Sequence, residues 1–122
     1  MAIRYEFDES ANLIRITSTE DVSVEDRWDC VDRLLQDPSL PQKAFVLIDV
    51  SQVTNRPNPN EVPWLGSLCA KLLKRFQSKI AFLSTAIGLS TIYQLLALTV
   101  DMNGSQVQVF YSEDTAKAWF AE

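Results

Sequence analysis

Residues 3–8 alternate, with Ile3, Tyr5 and Phe7 on one side and Arg4, Glu6 and Asp8 on the other. A period of two is the signature of a half-buried strand. After a polar turn over residues 9–12 a second strand-like run follows, NLIRITST, and two such runs joined this closely predict an antiparallel hairpin. The period then lengthens in SVEDRWDCVDRLLQD. Val24, Trp28, Val31 and Leu35 fall on one helical face, which Cys30 and Leu34 widen. Ser23 with Asp26 three positions on resembles a capping box, and Pro38 and Pro41 stop the helix. Glu25, Asp29 and Asp32 make an acidic stripe, read as a solvated surface.

KAFVLIDV is apolar almost without interruption, as a central strand covered on both faces requires. A second helix is expected to start with Asn60 as its N-cap and to bury Val62, Leu65, Cys69, Leu72, Leu73 and Phe76. KIAFLS predicts another buried strand, LSTIYQLLALTVD a third helix ending at Asn103-Gly104, and QVQVFYS the last strand. In SEDTAKAWFAE, Ser112 is placed to cap a short final helix that has acids in its first turn and Ala116, Trp119 and Phe120 on its buried side. Strands alternating with helices imply parallel pairing through right-handed crossovers. The expected fold class is α/β, one domain over 1–122: an N-terminal antiparallel hairpin followed by β-α units, a mostly parallel sheet of about five strands, and four helices.

Composition narrows the chemistry. A net charge of -5 argues against a nucleic-acid binder, which needs a basic surface. The absence of histidine removes the common zinc sites, Ser-His-Asp and Cys-His catalysis, and histidine acid–base work. Cys30 and Cys69 lack Cys-x-x-Cys spacing and read as small core hydrophobes. No metal site, cofactor or catalytic residue is expected. Asp49 ends a central strand, but no second group can be placed beside it to make an acid–base pair. Residues 80–100 carry no charge, yet their Ser, Thr, Gly and Gln content fits a short strand and a buried helix better than a membrane span. The start, MAIRYEF, runs straight into strand alternation and reads as no secretion signal, so a cytoplasmic location is expected.

In open α/β sheets, sites form beyond the carboxyl ends of the parallel strands. The stretch 51–63, SQVTNRPNPNEVP, falls at that edge, and its Arg56-Pro57 and Asn58-Pro59 pairs favour extended backbone. Two readings stand: a partner-binding loop, or a rigid spacer that aims the second helix. On the first, Ser51, Thr54, Asn55, Arg56, Asn58, Trp64 and Leu68 form the partner-binding face. At 100° per residue Trp64 projects about 140° from the centre of the core face, on a stripe with Leu68, Lys71 and Arg75. A tryptophan there suits a binding hot spot, unless the loop folds over and buries it. Lys71, Lys74, Arg75 and Lys79 together most simply complement a helix C-terminus. In the third helix Leu89, Ile92, Leu96 and Val100 form one apolar face and Leu95 and Leu98 widen it. That excess suits a homodimer, an apolar ligand or a neighbouring helix.

The order of elements resembles the SpoIIAA-like group of small domains, which includes the STAS domains of bacterial anti-sigma-factor antagonists. The residues that carry the likeness are IRYEFDESANLIRI, FVLIDVSQV, KIAFLS and VFYSEDTAKAWF, and their order spans nearly the whole chain. Asp49, Ser51 and Val53 reproduce the family's Asp-x-Ser-x-Val strand end. The following segment departs from it: TNRPNPNEVPWLGS has no Asp-Ser-Ser-Gly, the motif whose serine a partner kinase phosphorylates in the antagonists. The resemblance therefore implies a non-enzymatic, cytoplasmic, bacterial protein-interaction module without the phospho-switch, with a regulatory kinase or an anti-sigma factor as the kind of partner. The rival reading is a carrier or sensor of an apolar, lipid-like ligand of the CRAL-TRIO kind, held by Leu89, Ile92 and Leu96. A hydrolase using Asp49 is a third.

Overall fold

In a computed structural model of the chain, five strands lie side by side in the order in which they occur along the sequence. They are β1 (Ile3–Asp8), β2 (Leu13–Thr19), β3 (Phe45–Gln52), β4 (Ile80–Leu83) and β5 (Val107–Phe110). Three helices are seen among the described residues: α1 (Val24–Leu35), α2 (Val62–Phe76) and α3 (Glu113–Phe120). The structure describes residues 3–19, 23–52, 60, 62–84 and 106–122, excepting the side chains at 24 and 62. The further helix expected around 89–101 lies outside them.

β1 pairs antiparallel with β2, and every later pair is parallel. The hairpin turns at Asn12, whose φ of 51° is left-handed, a region asparagine tolerates better than most residues. Because side chains alternate across a strand, register sets two rows on opposite faces. Tyr5, Ile16, Ile48, Phe82 and Val109 align across one face, whereas Glu6, Arg15, Leu47, Ala81 and Gln108 align across the other.

The crossovers from β2 to β3 and from β3 to β4 step in one direction across the sheet, and a common hand puts their helices on one face. There α1 and α2 pack side by side, burying Cys30, Val31 and Leu34 with Leu65, Leu68, Cys69, Leu72 and Phe76 against Ile14, Ile16, Val46, Val50, Ile80 and Phe82. On the opposite face α3 places Ala116, Trp119 and Phe120 on Leu13, Leu47, Ala81 and Leu83, and Phe120 stacks on Phe45 at 4.8 Å between ring centroids. β3 is thus covered on both faces, as its apolar run requires.

The expected caps at Ser23 and Ser112 are present: Ser23 Oγ accepts from the Asp26 N–H and Ser112 Oγ from the Thr115 N–H. α2 begins at Val62, so Asn60 stands two positions upstream rather than at the helix boundary. The core face of α1 is turned slightly from expectation. Cys30, Val31 and Leu34 are buried, whereas Trp28 and Leu35 are only half-buried. The basic cluster is dispersed. Arg75 donates to the carbonyls of Pro41 (2.9 Å) and Leu40 (3.4 Å), while Lys79 Nζ donates to the Trp119 carbonyl at 2.7 Å. Lys79 therefore complements the C-terminus of α3, not that of its own preceding helix.

Candidate functional site

Because β2 to β5 run parallel, their carboxyl ends share one edge of the sheet, and β1 begins there, with Ile3 opposite Ser18. α1 and α2 both start from that edge. Trp64, in the first turn of α2, is 57% exposed, and Tyr111, directly after β5, is 56% exposed. These two large apolar side chains follow the carboxyl ends of β3 and β5.

Trp64 is not isolated. Its ring meets Trp28 of α1 edge-to-face, with centroids 6.1 Å apart and planes at 85°. Lys71, two turns along α2, holds its ammonium 4.4 Å from the centre of the Trp28 ring. A cation, a half-buried tryptophan and an exposed tryptophan thus form a continuous ridge across the α1–α2 seam. Edge-to-face contact and cation–π attraction fix the rings. The Trp28 indole N–H is buried without an acceptor.

The expected partner-binding residues divide. Trp64 is outward, as the helical projection requires. Leu68 is not: it is 5% exposed, a correction to the stripe it was expected to share with Trp64. The projection assumed one buried face, but α2 packs against both the sheet and α1, and the second contact takes Leu68 inward. Lys71 of that stripe is exposed and Arg75 half-buried. Ser51 is half-buried, and its backbone N–H and hydroxyl donate to Asp49 Oδ1 at 2.9 and 2.6 Å. Both bonds fall on the same oxygen of Asp49, the residue named in the hydrolase reading. The same Asp-x-Ser lock recurs at Asp8–Ser10 and Asp37–Ser39, where the serine bonds hold both carboxyls below their usual range. Thr54, Asn55, Arg56 and Asn58 lie outside the described residues, as do Leu89, Ile92 and Leu96.

Beneath the α1–α2 layer, at the same edge, is a cavity of about 50 Å³. Its walls include Ile16, Val50, Leu65, Leu68 and Phe82, with Ser18, Arg27 and Cys69. β2 carries an irregularity between Thr17 and Thr19, at the residue that faces this cavity. Burial pushes the Cys69 thiol up to about 12, only partly offset by the Arg27 charge, so it is a neutral wall group and no nucleophile. Arg27 is the residue that sequence reasoning missed, and Trp28, expected on the core face of α1, stands half-buried beside Trp64 instead. The signal for Arg27 was present: it stands three, four and seven positions before Cys30, Val31 and Leu34, on the buried stripe itself.

No family model, no curated protein and no solved structure matches this chain. Among the described residues no helix is long and apolar enough to cross a membrane.

Proposed function

We propose that this chain is a non-enzymatic protein-interaction module of the STAS type, working in the bacterial cytoplasm without a serine phospho-switch. It grips a regulatory protein, a kinase or an anti-sigma factor, at the carboxyl edge of its sheet. The single observation that carries the reading is the exposure of Trp64 beside Trp28 and Lys71. A tryptophan held in the open costs hydrophobic free energy in the isolated protein, and that cost is recovered when a partner covers it. Its ring is already braced by a neighbour, so little side-chain freedom is lost on binding. Tryptophan is also among the residues that dominate binding energy at protein interfaces. The closed Asp49–Ser51 pair fits a module that works by contact rather than by chemistry.

The test is quantitative capture from the extract of the source cell with three baits: wild type, Trp64→Ala, and Lys74→Ala, which alters an exposed residue on another side of α2. A regulatory protein should be retained by wild type and Lys74→Ala and weakened ~30-fold with Trp64→Ala, the size of a hot-spot loss. If every protein retained by the wild type is retained equally by Trp64→Ala, the reading fails.

A further inference from the structure

The cavity under the α1–α2 layer is independent of the Trp64 ridge and has its own chemistry. We propose that it binds a small aliphatic monocarboxylate, the carboxylate held by Arg27 and the tail enclosed by the apolar walls.

Arg27 is the starting point. Its side chain sits on the inward stripe of α1 and lines the cavity, with Nε buried and without an acceptor. Its charge is felt at the Cys69 thiol across the same space. A guanidinium is always charged and asks for a planar, two-oxygen acceptor. Leaving the buried Nε–H unsatisfied is costly, and an acceptor from solution removes that cost. The described lining supplies no carboxylate of the protein's own, and Cys69, pushed up by burial, stays neutral.

The remaining walls select what accompanies the charge. Apart from Ser18 and Arg27 the described lining is apolar, so hydrated inorganic anions find few partners there. The volume, about 50 Å³, sets the length of the tail. An apolar cavity of roughly 150 Å³ takes up a benzene ring, so this one suits a tail of roughly two or three carbons. A lipid or a nucleotide needs a pocket of several hundred Å³. Ser18, 2% exposed, follows Ile14 and Ile16 on the inward side of β2 and adds a hydroxyl to the site. The location, at the carboxyl edge of a parallel sheet, is where open α/β folds place ligands.

The experiment follows the Nε–H resonance of Arg27 by NMR while the full chain is titrated with sodium butyrate. Butyramide and sodium chloride, at matched concentration and ionic strength, are the comparison titrations. Butyrate should shift the resonance saturably, butyramide should bind at least ~10-fold more weakly, and chloride should give no saturable shift. In Arg27→Met, followed through the backbone amides of Ser18 and Cys69, the butyrate response should disappear. Val50→Leu keeps Arg27 and adds a methylene to the wall, so it should weaken butyrate even if Arg27→Met does not fold. A linear or absent response to butyrate overturns the proposal. So does equal binding of butyramide, a matching chloride response, or wild-type affinity in either folded variant.

Discussion

Arg15, in the middle of β2, forms an ion pair with Glu113 at the start of α3, 98 positions later in the chain. Lys117, one turn on in α3, reaches the other oxygen of the same carboxylate at 3.1 Å. Arg15 shares its sheet face with Leu13, so the pair stands beside the apolar contact that seats α3 on the sheet. The carboxylate also lies at a helix N-terminus, where negative charge is favoured.

That arrangement predicts an acid-sensitive contact. The Arg15 hydrogen bond, with lesser help from Lys117, draws the Glu113 carboxyl from 4.5 down to about 2. A group whose folded pKa is depressed adds stability above its unfolded pKa and loses it as pH falls through the folded value. The contribution is therefore full above about pH 5 and fades toward pH 2. Solvent screens a side chain that is 34% exposed, so the contribution is about 1 kcal/mol rather than the full linkage value. Urea unfolding of wild type and Glu113→Gln should differ by that amount at pH 7 and converge near pH 2. A constant difference across the range would rule out the ion pair as its source.

Trp64 and Trp119 should respond oppositely to truncation. Trp119 is 8% exposed, packed at a tilt against Phe110 and Phe120, and Trp119→Ala should cost ~3–5 kcal/mol. Trp64→Ala removes the edge-to-face contact with Trp28 and the partial burial of an exposed ring, about 1–2 kcal/mol. Thermal melts of the two variants make the comparison without any partner. A Trp64→Ala melt as depressed as that of Trp119→Ala would mean that the indole is a core residue and the binding ridge does not exist.

Both cysteines should be silent to thiol reagents in the folded protein. Cys30 is fully buried and Cys69 is 3% exposed, and burial raises both thiols, Cys69 to about 12. Reactivity follows the thiolate, so at pH 8 a chromogenic disulfide should titrate no thiol in the native chain and two in guanidinium. Rapid reaction of one thiol in the native protein would show that the α1–α2 layer opens.

Ser51 should carry no phosphate in protein isolated from its native cells. Its hydroxyl donates to Asp49 at 2.6 Å, and a phosphoryl group there would face that carboxylate. Intact-mass and peptide analysis gives the answer directly. Stoichiometric phosphate at Ser51 or Thr54, lost together with partner release, would restore the phospho-switch.

The strands, the hairpin and the two serine caps were legible in the chain because each rests on local rules. Side-chain period, a polar turn and a hydroxyl placed before a helix act within a few residues of one another. The apolar run of β3 even announced its double coverage, since a strand buried on both faces has no polar side to show. Trp64 could be placed outward because helical geometry fixes its angle from the sheet-facing residues. What a projection of one helix cannot contain is the neighbouring helix. Successive same-direction crossovers laid α1 against α2, and that contact turned Leu68 inward, set Trp28 beside Trp64 and enclosed Arg27 against a cavity. The pairing of Arg15 with Glu113, and of Lys79 with the end of α3, likewise needed the last helix to fold back across the sheet. Sequence determined which faces are apolar; only the tertiary structure decided what each face meets, because that depends on groups brought together from distant parts of the chain.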